Sequence, residues 1–221
     1  MKTLLAVSPH LDDAVFSAGA ELVRRADAGW RVLVCTCFTG SVANPQGFAL
    51  ACQLDKGLGP EVDYMALRRD EDRAACAALG AEPIHLPFLE APHRGYHSAA
   101  ALFGPPLDEA ALEDELAVAL GRIDADELFA PAALGDHVDH HLVRRIVQRL
   151  QPRSVQYWAD MPYAARLGGP PDGWDGLACG PALARKRAAA ACYRSQLAFQ
   201  FGATVPPDHL LALHGAEWFI R

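Results

Sequence analysis

Short apolar runs and helix-length amphipathic segments alternate along this chain, and that alternation limits the folds open to it. Residues 3–7, 31–38, 84–88, 127–132 and 155–158 are strand-sized and rich in aliphatic or aromatic side chains. Between them, 15–28, 64–79, 107–123 and 137–150 carry apolar residues at helical spacing, with Gly29, Gly80 and Pro152 standing where helices should stop. A last helix is expected over 181–198. Such alternation predicts βαβ units with right-handed crossovers, an α/β fold whose mostly parallel sheet is covered by helices on both faces. The Gly- and Pro-rich stretches 41–60 and 168–180 are read as loops, the first long enough for a lid or binding loop. No internal repeat, low-complexity tract or boundary interrupts the pattern, so residues 1–221 read as one domain.

Composition narrows the partners. With 51% hydrophobic and 21% charged residues, the chain can bury a full core. A net charge of −7 without a basic cluster argues against nucleic acid or an anionic membrane as a partner. No apolar run is long enough to span a bilayer, and the first residues lack a signal-peptide pattern. Cys35, Cys37, Cys52, Cys76, Cys179 and Cys192 are scattered among apolar neighbours, as reduced core residues of a cytoplasmic protein would be.

Chemistry concentrates in two places. Directly after the first strand comes Ser8-Pro9-His10-Leu11-Asp12-Asp13-Ala14. Two adjacent carboxylates repel each other and need a partner: a helix N-terminus, a metal ion or water. As a bland reading, Asp12 or Asp13 is a helix N-cap and His10 a turn residue. No glycine-rich phosphate-binding turn occurs at this point. The second place is Gly135-Asp136-His137-Val138-Asp139-His140-His141, after the strand ending near residue 132. Three histidines and two acids in six residues exceed what a solvated helix start requires. On a helix, His137 shares a face with both His140 and His141, and spacing does not choose between them.

Both motifs follow parallel strands, and ligands of open α/β sheets bind beyond the carboxyl ends of the strands. A shared metal site is therefore expected. Two histidines and one carboxylate with an open position are a common catalytic zinc set. The surplus aspartate and histidine match the base and oxyanion donor that such a centre needs. Arg68, Glu90, His93, Arg94, Tyr96 and Tyr163 lie near the same edge as candidate substrate contacts, while Arg68 and Glu71 could equally form a helix ion pair.

His10-Leu11-Asp12-Asp13 and His137-Val138-Asp139-His140 together resemble the signature of the PIG-L/LmbE-like zinc-dependent N-deacetylases, in their SPHLDDA-type sub-group. The stretches 68–71, 90–94, 160–163 and 193–196 support the resemblance. It implies a Rossmann-like fold, one zinc ion per chain held by His10, Asp13 and His140, and Asp12 as general base. His137 would steady the oxyanion or donate to the leaving amine, and Asp139 would orient His137. His141 becomes a bystander. Ala14 departs from the family's usual Glu, which removes no ligand. The implied reaction is hydrolysis of an N-acetyl group from a small-molecule amino sugar; Arg68, Glu90, Arg94 and Tyr163 are the candidate contacts to it by position, with a surface salt bridge or loop packing the alternative for each. Homo-oligomers are common among such proteins, and the sequence leaves the oligomeric state open. Two rivals from other classes stand beside this reading. One is a metal-dependent phosphoesterase, because residues 139–141 spell Asp-His-His; the other is a non-catalytic sugar- or metal-binding module.

Overall fold

The computed structural model describes residues 1–168, 171–202 and 215–221. Its strands are β1 (Thr3–Ser8), β2 (Arg31–Thr36), β3 (Glu82–His85), β4 (Glu127–Pro131), β5 (Val155–Trp158), β6 (Asp175–Ala178) and β7 (Ala216–Ile220). Its helices are α1 (Asp13–Asp27), α2 (Gly47–Leu54), α3 (Tyr64–Leu79), α4 (Ala99–Leu102), α5 (Ala110–Gly121), α6 (Val138–Leu150), α7 (Tyr163–Arg166), α8 (Leu183–Ala190) and α9 (Arg194–Phe201).

One sheet runs in the order β3-β2-β1-β4-β5-β7-β6. The first five strands pair in parallel, whereas β7 pairs antiparallel with both β5 and β6. From β1 the chain winds outward to β2 and β3, then returns to the other side of β1 as β4. The topological switch point of this Rossmann-like sheet thus lies between the carboxyl ends of β1 and β4, where ligands of such sheets bind.

The alternation of side chains along β1 shows why the strand is apolar throughout. Leu4 and Ala6 enter the core packed under α1, α3 and α8, while Leu5 and Val7 enter the core against α5 and α6. The helices α1, α3, α5 and α6 and the parallel strands β1, β2, β4 and β5 are where the sequence places them, while β3 at Glu82–His85 only overlaps the strand expected over 84–88. Gly80 ends α3 in the left-handed region at φ 75°, which glycine adopts without a Cβ clash.

Four readings change. The 41–60 loop contains α2, and the 168–180 loop contains the edge strand β6, residues 169 and 170 lying outside the described residues. The helix expected over 181–198 is two helices, α8 and α9, broken around Ala191–Tyr193. The strand β7 was not expected at all; it inserts between β5 and β6. Cys35 and Cys37 are buried in one core cluster, Cys35, Cys37, Cys52, Cys76 and Cys192 are free thiols, and burial pushes the Cys35 thiol up to about 12.

β7 is tied to the helical layer by charge. Glu217, buried, accepts the N–H groups of Ala20 and Glu21 and the Lys186 ammonium at 2.6 Å. Lys186 is equally buried, and its stem lies against Gly19 of α1. Removing one member of such a pair strands a charge in the core. Lys186→Met is expected to lower stability by about 3–5 kcal/mol in urea unfolding, and a loss below about 1 kcal/mol would refute this account of how the edge is held.

Candidate metal centre and active site

The turn after β1 explains how two adjacent acids coexist. Asp12 occupies the N-cap position of α1, yet its side chain makes no capping bond. The Ser8 hydroxyl does that work, accepting the Ala14 N–H at 3.1 Å while donating to the His10 carbonyl. Asp12 is held at φ 154°, a conformation unusual for a residue with a Cβ. The two carboxylates then diverge. Asp13 accepts the backbone N–H of His10 at 2.8 Å through Oδ2. Asp12 lies 3.6 Å from the buried guanidinium of Arg68, and its Oδ2 has no hydrogen-bond partner among the described residues.

The second half comes from the end of β4. Ala133, Gly135 and Asp136 all have φ between 61° and 87°, a tight, strained approach to α6. Only glycine fits at 135, because a Cβ there would lie 2.6 Å from the Tyr163 side chain. Contrary to the expectation of a helical His137, this residue is the extended N-cap of α6, and its Nδ1 accepts the Asp139 N–H at 3.2 Å. His140, one turn inside the helix, is fully buried. His141 points outward to Asp136 at 3.1 Å, a half-exposed pair.

Three donor atoms converge. His10 Nδ1 lies 3.2 Å and His140 Nε2 lies 3.4 Å from the same atom, Asp13 Oδ2. The far nitrogen of each ring faces a buried carboxylate at 2.8 Å: His10 Nε2 faces Asp139 Oδ2, and His140 Nδ1 faces Asp160 Oδ1. Asp139 also accepts the Ala91 N–H and pairs with Arg94, and Asp160 accepts the Leu134 N–H. Carboxylates so engaged accept the far imidazole N–H groups, so that in the neutral rings the near nitrogens present lone pairs toward Asp13. Such a constellation needs a cation at its centre. Zinc bonds of about 2.0–2.1 Å at tetrahedral angles place neighbouring donors about 3.4 Å apart, close to the spacing observed, so these residues fit zinc. His140 Nε2 is buried without a hydrogen-bond partner among the described residues, as a ligand atom would be.

Electrostatics agree. Although burial opposes its ionisation, Asp13 is held well below the usual carboxylate range by His140 and His10. Burial, reinforced by the charge of Asp13 and only partly offset by Arg68, pushes Asp12 up to about 7. Burial, together with His10, pulls His137 down to about 3. His137 is therefore a neutral imidazole whose Nδ1 is an acceptor, so Nε2 carries the proton.

A cavity of about 300 Å³ opens over this centre, with His10, Asp12, His137 and Asp139 at its polar end. Its walls come from peripheral elements: Phe48 and Cys52 of α2, Leu102 and Phe103 beside α4, Tyr163 of α7 and Phe199 of α9. Of the expected substrate contacts, Arg68, Glu90 and Tyr163 line it. Arg94 does not. It binds Glu109, Asp139 and the Leu89 carbonyl and lies over the Phe38 ring, so it braces the site from behind. Arg68 pairs with Glu90 and donates to the Leu11 carbonyl, while Glu71 accepts both donors of Ser195; the Arg68–Glu71 helix pair is not formed. The Asp139 carboxylate holds His10, and only its backbone N–H reaches His137, which corrects the expected contact.

Asp160 went without a role in the sequence reading. Its signal was present: an acid two residues past the strand β5, at the same edge as both motifs.

A Rossmann-like sheet with a two-histidine, one-aspartate set at its switch point is the arrangement suited to a single-metal hydrolase. The chain belongs to the PIG-L family, whose model, described as GlcNAc-PI de-N-acetylase, matches residues 5–150. Among curated proteins it is similar to a 2'-N-acetylparomamine deacetylase of Streptomyces fradiae, with 34% identity over 172 residues; the match covers 75% of this chain and 58% of that relative, so this chain spans less than two thirds of its length. Among solved structures it is similar to a deacetylase from the biosynthesis pathway of teicoplanin, at 29% identity and a TM-score of 0.84, covering 96% of this chain and 91% of that one. A teicoplanin deacetylase solved in a zinc-inhibited form matches at 27% identity and a TM-score of 0.82, covering 99% and 96% of the two chains.

Because Arg94 neutralises the buried Asp139, Arg94→Ala is expected to lower stability by about 3–5 kcal/mol. His141→Ala should change it by no more than about 0.5 kcal/mol. Comparable urea midpoints for the two variants would contradict the bracing role.

Proposed function

We propose that this protein is a metal-dependent N-deacetylase that hydrolyses the acetamide of a small amino sugar. The observation that carries the reading is the convergence of His10 Nδ1, Asp13 Oδ2 and His140 Nε2 beside an unpartnered Asp12 carboxylate at one end of a sugar-sized cavity. The deacetylase relatives, one acting in paromamine chemistry and one in teicoplanin biosynthesis, support the acyl group and the amino sugar.

In this reading one Zn²⁺ per chain is held by His10, Asp13 and His140. When bound it supplies a Lewis acid that acidifies the attacking water and polarises the amide carbonyl. Asp12, whose Oδ2 has no hydrogen-bond partner among the described residues, takes the proton of the attacking water. Arg68 holds Asp12 in place through its 3.6 Å approach. The Nε2–H of neutral His137 donates to the oxygen on which negative charge develops. A histidine that gives up its proton as readily as this one is rarely protonated near neutrality. The proton for the departing amine therefore comes back from Asp12, and His137 works as a hydrogen-bond donor. Asp139 positions His10. Glu90 and Tyr163 line the cavity where the sugar would sit, with Phe48, Phe103 and Phe199 as apolar walls. Free thiols at Cys35, Cys37, Cys52, Cys76 and Cys192 support a reducing, cytoplasmic setting.

The phosphoesterase reading has less support. Among the described residues, the two groups able to hold a cation, His10-Asp13-His140 and His10-His137-Asp139, share His10, which favours one ion per chain. A purely structural metal site would leave Asp12 and His137 without a purpose.

Acetate and free amine released from a panel of N-acetylated amino sugars test the assignment. Activity should vanish on chelation and return with one zinc equivalent; release of phosphate from phosphoesters with two manganese ions per chain would replace the proposal with its rival. Asp12→Ala is expected to keep its metal content while losing about 10²–10⁴-fold in turnover. His137→Ala should lose about 10²–10³-fold. Undiminished turnover in metal-loaded Asp12→Ala protein would show that another group is the base.

A further inference from the structure

We infer that Asp160 is a positioning residue for the metal site, fixing His140 in the one tautomer and orientation that presents Nε2 to the ion. The inference rests on the reading of His140 as a ligand and extends it to a residue of a third strand.

Asp160 follows β5 and is as buried as His140 itself. Its two oxygens have separate tasks. Oδ2 accepts the Leu134 N–H at 2.9 Å, fixing the carboxylate to the loop that leads into α6. Oδ1 faces His140 Nδ1 at 2.8 Å. The backbone carbonyl of Asp160 accepts the Ala164 N–H at the start of α7, and the next residue, Met161, donates its N–H to Ser17 of α1. A carboxylate anchored to the α6 approach, to α7 and, through its neighbour, to α1 has little freedom to move. The imidazole it holds is correspondingly fixed. A carboxylate hydrogen-bonded to the far nitrogen of a metal-bound histidine sets the tautomer and raises the basicity of the near nitrogen.

A merely structural Asp–His pair would need only the Nδ1 contact, whereas here the other ring nitrogen, Nε2, is buried, makes no hydrogen bond among the described residues and is turned toward Asp13 Oδ2 at 3.4 Å. Asp160 thus completes a symmetric arrangement with Asp139, which faces the far nitrogen of His10 at the same 2.8 Å. Asp160 also joins the metal to the cavity wall. The segment it begins carries Tyr163, whose ring stands edge-on to His140 at 5.6 Å and to Phe103 at 5.9 Å.

The test measures zinc affinity by chelator competition in the full-length protein, alongside the urea midpoint of the metal-free form. Asp160→Asn keeps the shape and the Leu134 bond but removes the charge; Asp160→Ala removes both. Each is expected to weaken zinc binding by about 10- to 100-fold, with Asp160→Glu recovering part of the loss and turnover at saturating zinc falling less than affinity. Zinc affinity of Asp160→Asn within twofold of the wild type would overturn the inference while leaving the metal site intact. Absence of zinc binding by the wild type would instead overturn the metal reading and this inference with it. Should the variants fail to fold, ¹⁵N-histidine NMR of the zinc-loaded wild type decides. A retained Nδ1–H and a metal-shifted Nε2 on His140 are expected, and the reverse pattern overturns the proposal.

Discussion

Everything distinctive about this molecule follows from two imidazole lone pairs and a carboxylate oxygen turned toward one point. Left without a positive charge, His10 Nδ1, His140 Nε2 and Asp13 Oδ2 would repel at separations of 3.2 and 3.4 Å. The protein nonetheless holds them there, through Asp139 and Asp160 behind the rings and the His10 N–H behind Asp13. Those supports are buried and hydrogen-bonded, so the repulsion cannot relax by rotating a side chain into water. A cation is the stabilising element the surroundings are built to receive, and in the metal-free protein protons take its place: Asp13 and Asp139 raise the His10 pKa, and Asp13 and Asp160 that of His140, against the opposing effect of burial. Metal and proton compete for the same nitrogens, as is general for histidine ligands.

The same demand shapes the two helix starts. An aspartate at an N-cap ordinarily satisfies orphan N–H groups of the first turn, worth about 1 kcal/mol. Here Asp12 is withheld from that duty, strained in φ and left with an unpartnered oxygen, while Ser8 reaches across to cap in its stead. At α6 the capping atom is His137 Nδ1, an unusual choice that fixes which nitrogen carries the proton. Both departures from ordinary capping occur at the switch point and bear on reacting groups, the pattern expected where function overrides local preference.

Much of this was legible in the sequence because strand ends determine it. A motif directly after an apolar strand can only lie at the carboxyl edge of a parallel sheet, so His10 to Asp13 and His137 to His140 could be brought together without coordinates. What spacing could not supply was direction. Asp139 sits two residues from His137 in sequence, yet its carboxylate turns to His10, 129 positions away, because the α6 start leaves only the Asp139 N–H facing His137. Arg94 looked like a substrate residue because it lies in a loop at the right edge; Glu109 and Asp139, remote in sequence, take its donors. The edge strand β6 and its neighbour β7, four and five residues long, carry too little periodicity to stand out from a loop.

The division between legible and illegible parts coincides with a division of labour in the molecule. Central strands and the turns that follow them carry the groups proposed as metal ligands and base, and their positions are fixed by sheet geometry. Much of the cavity wall comes from short or late elements, α2, α4, α7 and α9, alongside Tyr64 and Arg68 of α3 and Glu90. The short and late elements differ in chemistry from the polar end of the cavity: Phe48, Leu102, Phe103 and Phe199 add apolar surface, and Lys56 lies 4.0 Å over the Phe199 ring. The two parts meet at Tyr163, whose ring stands edge-on to His140 at 5.6 Å and whose side chain leaves room only for glycine at 135, so the wall of the cavity and the candidate metal centre are fixed against each other.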